Sequence, residues 1–405
     1  MKSAAAAMGD YDRGVVDSTY DWLPERHLGV AATLAHADEL IEQISDLLFE
    51  YHTQSDGVFC LREVPAGPVS RTVVDRVAPI PRKVPLLVAD ALVALRAALE
   101  HALFAEVEFA DGAPLDEKAA QLVEMPASHA YEKFEKWKKN RVRHGPLSLR
   151  AGSELLRRVA GLQPFQRPAE PQMHPLARLV LHTNHAKHRT PVVTTVRLAA
   201  MYRDDQVLRS IEDLPKQPEK PLCVGDVIAE TPIGTKVPVT LFPTIGINRP
   251  RTDRWPVLMQ ELDEISQWVR CQALPRLITG SEPPQPPLPA RYEISVGHED
   301  ERRAVVAGSL TSAASRYKRR LSAASARINL VEHLGQIYDF PNGQQVSAWL
   351  AHLTDEEVLG KISALKQNHN YDPRVMRHNA EVLARLRDEI LNSPHENKPA
   401  DEQWT

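Results

Sequence analysis

The chain has 405 residues, of which 43% are hydrophobic and 25% charged, a composition that excludes disorder of the whole chain and supplies two or three hydrophobic cores. Its 49 Lys and Arg nearly balance its 53 Asp and Glu, so the net charge of -4 excludes a general attraction to nucleic acid or anionic lipid. Binding of either kind requires a local basic patch.

The compartment is inferred from cysteine usage and hydropathy. Three widely separated cysteines, Cys60, Cys223 and Cys271, fit neither a disulfide framework nor a CxxC metal knuckle. No apolar run reaches the roughly 20 residues of a transmembrane helix, and the N-terminal Ala run is too short for a secretory signal. We therefore expect a cytoplasmic protein that makes no contact with a membrane.

The first predicted elements are two long helices around a hairpin. Residues 30–52 carry apolar side chains at steps of three and four, which predicts an amphipathic helix. Two β-branched runs, 58–64 and 72–78, flank the breaker PAGPVS and predict an antiparallel hairpin. A second long helix is predicted from about Pro85 to Glu108, where the apolar stripe continues.

Shorter helices and a run of strands follow. Helical segments are predicted between Ser128 and Arg158 and from about Pro175 to His188. Sequence rich in β-formers fills 192–202 and 223–247, and residues 256–278 are helical again. Because the strands come in runs and do not alternate with helices, we predict an α+β fold. Its helical bundle core carries the hairpin and a small antiparallel sheet.

The strongest break in the chain is the proline-rich run GSEPPQPPLPA at 280–290. It predicts a flexible N-terminus at 1–25, an α+β domain at 26–279, a linker at 280–290 and an all-α domain at 291–405. An apolar seam over 310–331 predicts a long helix that packs lengthwise on another helix, in a helical hairpin or a dimer contact. Thr354 and Glu357 predict a capping box at the start of a later helix.

The main catalytic candidates are Arg96 and His101 on the second long helix. The chain contains no P-loop, GxGxxG, HExxH or GxSxG signature, which leaves weaker patterns such as this R-x4-H. Metal-independent RNA cleavage needs a permanent cation on the phosphate and an acid or base for the ribose 2′-OH and the leaving group. Guanidinium and imidazole provide these two groups.

The spacing of this pair has little weight by itself. Random placement of Arg and His in a chain of this composition gives about four pairs with an Arg four to six residues before a His, so only the setting in a long patterned helix favours a site. Residues five apart also lie about 140° apart around a helix, so a shared phosphate requires a second helix or a second subunit. The structural alternative is an Arg at the edge of the apolar stripe and a His on the Ala-lined flank.

A second polar cluster ends the helix predicted at 175–188, in the sequence HPLARLVLHTNHAKHRTP. This cluster has three possible interpretations: structural histidines, a phosphate-facing group near the helix C-terminus, or a metal site in which two of His182, His185 and His188 bind one zinc ion. No Asp, Glu or Cys adjoins these histidines in sequence, and we predict no metal and no cofactor. The candidate residues are Asn184, Lys187, His188 and Arg189.

Two basic stretches stand out. Residues 133–158 combine nine Lys or Arg with two Glu, and residues 302–327 carry seven bases and no acid. Such patches are typical of RNA or DNA binding, although solvated helix faces also carry them. The predicted nucleic-acid-binding residues are Lys133, Lys136, Lys138, Lys139, Arg141 and Arg143.

Residues 26 to about 280 resemble a group of bacterial, often actinobacterial, proteins of unassigned activity. The resemblance lies in the order of six segments: AATLAHADELIEQISDLL, APIPRKVPLL, VALRAALEHAL, GLQPF, HPLARLVLHTNHAKHR and VLMQELDEISQWVRCQALPRL. The third corresponds to a motif usually written HNLRSALDHL, and the fifth to HPL…LxNxDKHR. With its R-x4-H, this group is similar to HEPN ribonucleases, which are helical proteins that dimerise to build a composite site and often act in toxin–antitoxin or phage-defence systems.

The resemblance implies that Arg96 and His101 are the catalytic pair and that Asn184, Lys187, His188 and Arg189 form the second motif. Three positions depart from the pattern: Ala94 replaces an Asn, while Glu100 and Ala186 each replace an Asp. The replaced side chains would orient the Arg and the Lys-His-Arg group. The resemblance ends before Ala290.

Two functions of different class follow from the sequence. The first is a HEPN-like, metal-independent endoribonuclease or a degenerate relative, with RNA as substrate and a homodimer as the active form. The second is a non-catalytic protein that binds nucleic acid or assembles with a protein partner through its C-terminal helices.

Overall fold

The structure, a computed structural model, describes residues 20–141, 145–189, 192–203, 217–235, 238–366 and 371–393. Residues 1–19 of the predicted flexible N-terminus lie outside the described residues, as does Arg143. The predicted α+β class is confirmed, since helices dominate and the strands form small antiparallel sheets.

Two long helices form the centre of the molecule: α1 (Leu28–Thr53) and α2 (Lys83–Asp111). They pack against each other and each extends a few residues beyond its predicted bounds. The apolar stripe of α2 is fully buried, with Leu95 and Leu103 at 0% exposure. This stripe explains the position of α2, because burial of aligned Leu and Val side chains supplies most of the stability of an amphipathic helix.

The described strands form two sheets. The predicted hairpin is confirmed, and its second strand pairs on its other edge with a strand from the later β-rich region. The other two strands of the later β-rich region pair with each other and form the second sheet. The strands are β1 (Phe59–Ala66), β2 (Val69–Val77), β3 (Thr194–Arg203), β4 (Val227–Pro232) and β5 (Val239–Ile247), in the orders β1-β2-β4 and β3-β5.

The helices between and after the strands surround the α1–α2 pair. The helix predicted at 175–188 has those bounds, because Pro175 occupies its first turn and His174 accepts a hydrogen bond from the Leu176 N–H. A π-helical turn, Val269–Ala273, joins the last two helices of this set. The set comprises α3 (Glu117–Ala120), α4 (Tyr131–Lys139), α5 (Glu154–Gly161), α6 (Pro175–His188), α7 (Leu258–Trp268) and α8 (Leu274–Thr279).

The elements described after residue 290 are all helices, as predicted, and one isolated β-bridge joins Arg291 with Ser309. Thr354 and Glu357 form the predicted capping box. Among the described helices of the whole chain, none is long and apolar enough to cross a membrane. The C-terminal helices are α9 (Glu301–Val306), α10 (Ala313–Leu334), α11 (Gly343–Ala351), α12 (Asp355–Ala364) and α13 (Pro373–Asn392).

The buried residues divide at a different place from the predicted boundary. Leu288, Tyr292, Val305 and Tyr317 belong to the main core around α1 and α2, and a second core begins at Ala326. The proline-rich run is itself docked, since Arg270 donates to the Leu288 carbonyl at 2.6 Å. The division between the two cores therefore falls within α10.

Polar contacts hold the start of α10 on α1. The carboxylate of Asp38, which is 3% exposed, accepts a hydrogen bond from the Ala313 N–H at 2.8 Å and from Arg316 at 2.9 Å. Arg316 also donates to Glu42 at 2.9 Å. A buried carboxylate with these donors fixes α10 to the first domain, because leaving the carboxylate unpaired is costly.

Candidate functional site

Arg96 lies on the side of α2 that packs against α6. Its Nη1 donates to Asn184 Oδ1 at 2.7 Å and to Thr183 Oγ1 at 3.0 Å. These residues are 88 and 87 positions apart in the chain, and the packing of α2 on α6 brings them together. The structure therefore joins the Arg of the first motif to the Asn of the second.

Glu100 holds Arg96 from a third direction. One carboxylate oxygen accepts from Arg96 Nε at 3.4 Å and the other from the Met125 N–H at 2.8 Å. Burial raises the pKa of Glu100, against the opposing effects of the Met125 hydrogen bond and the Arg96 charge. Although Glu100 departs from the motif, its carboxylate pairs with the Arg96 guanidinium.

His101 lies on a different face of α2. Its side chain is exposed, and it makes no hydrogen bond or ion pair with any residue that the structure describes. The five-residue spacing places it about 140° around the helix from Arg96. Within one chain, the structure does not bring the two predicted catalytic side chains to a common point on the α6 side of α2.

The C-terminal turn of α6 presents the remaining residues of the second motif. Asn184, Lys187, His188 and Arg189 are all exposed. Residues three and four apart share a helix face, so Lys187 and His188 lie one turn beyond Asn184 and hence beyond Arg96. The arrangement concentrates cationic and imidazole groups at a helix C-terminus, where the helix dipole also favours positive charge.

The predicted nucleic-acid-binding residues separate into two groups. Lys133, Lys136 and Lys139 are exposed on α4, and Lys138 is paired with Glu135. Arg141 is 6% exposed: it donates to Glu124 and to the Leu122 carbonyl and stacks on the Trp137 ring, 4.0 Å from its centroid. The Arg141 side chain therefore has a structural role. It could bind a phosphate only by leaving these partners.

The second basic stretch is largely neutralised by acids of other helices. Arg316 pairs with Asp38 and Glu42 of α1. Three further ion pairs link α10 with α1 or α12: Arg320–Asp46, Arg319–Glu356 and Arg327–Asp355. These ion pairs explain the basic stretch as a helix-packing surface.

A buried ionic cluster around Glu261 was not predicted from the sequence. Glu261 is 1% exposed and accepts from Arg249 at 2.7 Å and from Arg178 at 2.8 Å, with the His182 Nε2 at 3.3 Å. Burial alone would raise the pKa of Glu261, but the hydrogen bonds from His182 and Arg249 and the two arginine charges lower it to about 2. The signal in the sequence was an acidic residue within the apolar stripe of α7.

The histidines of the second cluster consequently have separate environments. His182 is buried beside Glu261, while His174 packs edge-on against Trp268 at 5.0 Å between ring centroids. Burial, followed by the nearby Arg167 and Arg178, lowers the pKa of His174 to about 4. Across the described parts of the chain, no group of His, Cys, Asp and Glu residues is arranged to hold a metal ion. The zinc interpretation therefore has no ligand set there.

Comparison with family models, with curated proteins and with solved structures finds no match to this chain.

Proposed function

We propose that this chain is a HEPN-like, metal-independent endoribonuclease that binds RNA phosphate where α2 meets α6. The observation that carries the proposal is the contact of Arg96 with Asn184 and Thr183. Lys187 and His188 follow one turn further along α6 and are exposed. A guanidinium with an ammonium and an imidazole one helical turn away would offer the kinds of donor that a phosphodiester binds.

The proposed reaction is an attack of the ribose 2′-oxygen on the adjacent phosphorus. An imidazole takes the 2′-hydroxyl proton, the P–O5′ bond breaks and the departing 5′-oxygen takes up a proton from solvent, to which the imidazolium then releases the proton it gained. The products are a 2′,3′-cyclic phosphate and a 5′-hydroxyl. Arg96 stabilises the charge that develops on the phosphoryl oxygens. No step requires a metal ion or an oxidant.

His101 is the proposed proton-transfer residue, and it would act from a second copy of the chain. Support comes from the exposure of its side chain, one helical turn beyond the small, partly buried Ala97. Lys133, Lys136 and Lys139 on α4 would hold the flanking RNA. The family resemblance associates such an activity with toxin or phage-defence systems.

The test is cleavage of a labelled single-stranded RNA by the purified full-length protein in EDTA. We expect Arg96→Ala and His101→Ala to lower the rate by about 100-fold or more, since each group acts in the transition state. His36→Ala removes an exposed histidine of α1 and is the matched control, with an unchanged rate expected. Equal rates for wild type and His101→Ala would remove His101 from the mechanism.

The alternative is a protein that binds RNA without cleaving it, and one observation favours it. The Arg96 guanidinium is held by Glu100, Asn184 and Thr183, so a phosphate must compete with acceptors that are already in place. In this case RNA binding persists in the variant that combines Arg96→Ala with His101→Ala, and EDTA-resistant turnover is absent from wild type. Filter binding and the cleavage assay on the same preparations separate the two functions.

A further inference from the structure

A cavity of about 360 Å³ lies away from the α2–α6 junction, between α5, the end of α8 and the start of the proline-rich run. Its walls include the arginines Arg157, Arg158 and Arg276 and the acids Glu154 and Glu282. Leu162, from the GLQPF sequence, contributes an apolar wall. The volume falls within the range that small-ligand sites occupy in proteins.

Arg158 is the fixed part of this cavity. Its Nη1 donates to the carbonyls of Leu277 at 3.1 Å and Ile278 at 2.8 Å, at the C-terminus of α8. Gly280 packs directly on this guanidinium, since a Cβ at position 280 would lie 2.6 Å from Arg158 Nε. The backbone of Gly280, with φ +73°, therefore allows the wall to form.

Arg157 and Arg276 are the adaptable part. Arg157 pairs with Glu154, and Arg276 pairs with Glu282 at 3.2 Å. The Glu282 side chain is 90% exposed, and exposed pairs of this kind contribute little, so an incoming anion can replace it. The Nε of Arg276 is buried and has no hydrogen-bond partner among the described residues. A buried donor without a partner is costly, so the Arg276 side chain gains from a movement that gives its Nε an acceptor, such as a ligand oxygen.

The number of guanidinium groups indicates the class of ligand. Arg158 has its Nη1 committed to two carbonyls and also pairs with Glu106 and Glu154, so the donors for a ligand come mainly from Arg157 and Arg276. Two guanidinium groups match the three terminal oxygens and nearly two charges of a phosphate monoester better than the two oxygens of a single carboxylate. We propose that this cavity binds a phosphate monoester, with the phosphoryl group held by Arg157 and Arg276 against Arg158. The organic part would lie on the Leu162 side. This proposal is independent of RNA cleavage at Arg96.

The experiment is isothermal titration of the full-length protein at constant ionic strength. The probes are inorganic phosphate, adenosine 5′-monophosphate, adenosine and one oligoribonucleotide with and without a 5′-phosphate. We expect the monophosphate to bind and adenosine not to bind. A preference for the 5′-phosphorylated oligonucleotide over the free monophosphate would identify an RNA end as the source of the same group.

Matched variants test the assignment. Arg276→Gln and Arg157→Gln should each weaken binding of the monophosphate at least about tenfold. Arg71→Gln changes an exposed arginine of β2 that pairs with Glu230, and it should leave the affinity unchanged. Absence of binding to wild type by every phosphorylated probe up to about 10 mM would overturn the proposal, as would equal affinities for Arg276→Gln and Arg71→Gln.

Discussion

Arg96 and Glu261 show how the setting of a charged side chain decides its role. Arg96 is part-buried at an edge, with acceptors on three sides and exposed cations one helical turn away. Glu261 is enclosed by two arginines and a histidine. An anion can bind the first arrangement by competing with these acceptors, whereas the second is a closed structural cluster.

Removal of the Glu261 charge is expected to destabilise the fold strongly. Glu261→Gln leaves Arg249 buried without a counter-charge and leaves Arg178 with only the partly exposed Glu264, and breaking a buried pair in this way costs about 3–5 kcal/mol in comparable sites. Glu264→Gln is the matched control, because Glu264 also contacts Arg178 but its side chain is 46% exposed. Urea denaturation of both variants checks this expectation, and similar midpoints would show that Glu261 is not the centre of the cluster.

The pKa of His174 predicts a pH dependence of stability. The folded-state pKa is lowered to about 4 from 6.5, so the unfolded chain binds the proton first as the pH falls. The contribution is fully present above pH 6.5 and is lost as the pH falls towards 4.

His174→Asn tests this dependence because Asn retains the capping acceptor for the Leu176 N–H. Between pH 6.5 and 5 the wild type should lose about 1 kcal/mol more of its free energy of unfolding than this variant, after allowance for the solvent around the ring. Thermal unfolding at a series of pH values is the measurement. Parallel curves for both proteins would contradict the assignment.

At the scale of elements, the helices were predictable because their signals are local. The stripe of α2, the Pro175 start of α6 and the Thr354 capping box each lie within one helix. The pairing of β4 with β2 was not predictable, because about 150 residues separate these strands and a β-branched run does not specify its neighbour. For the same reason, the sequence did not show that the strands of the later β-rich region belong to two different sheets.

A substitution in α12 should strengthen an element without touching the core. Gly360 lies in the middle of α12, is exposed, and a Cβ there would meet no atom within 4 Å. Gly360→Ala should therefore raise stability by up to about 1 kcal/mol through helix propensity. Gly280→Ala provides the contrast, because its φ is positive and Arg158 occupies the space. Differential scanning calorimetry should give shifts of opposite sign.

At the scale of the whole molecule, the two cores share α10. Its first half packs on the main core and its second half on the C-terminal core. The ion pairs of Arg316 and Arg320 with α1 reinforce the first contact. The C-terminal helices are therefore anchored through a continuous helix, and the proline-rich run is covered by packing at Leu288.

Truncations should reveal this organisation. A chain ending at residue 290 loses Tyr292, Val305 and Tyr317 from the main core, roughly 5 kcal/mol of apolar burial. A chain ending at residue 325 retains them and should unfold cooperatively at a clearly higher temperature. Circular dichroism melts of the two fragments compare them, and indistinguishable melts would place the boundary at 280–290 as the sequence predicts.

The amino-acid sequence by itself determined the α+β class, the long helices, the hairpin and the positions of the two motifs, because helix and strand periodicity depends on near neighbours. Only the tertiary structure decided that Arg96 meets Asn184, that Arg141 is buried and that Glu261 gathers two arginines. A long charged side chain can form an ion pair or hydrogen bond with any element that lies within its reach. Those partners depend on which helices pack together, a property of the assembled core that local patterns do not contain.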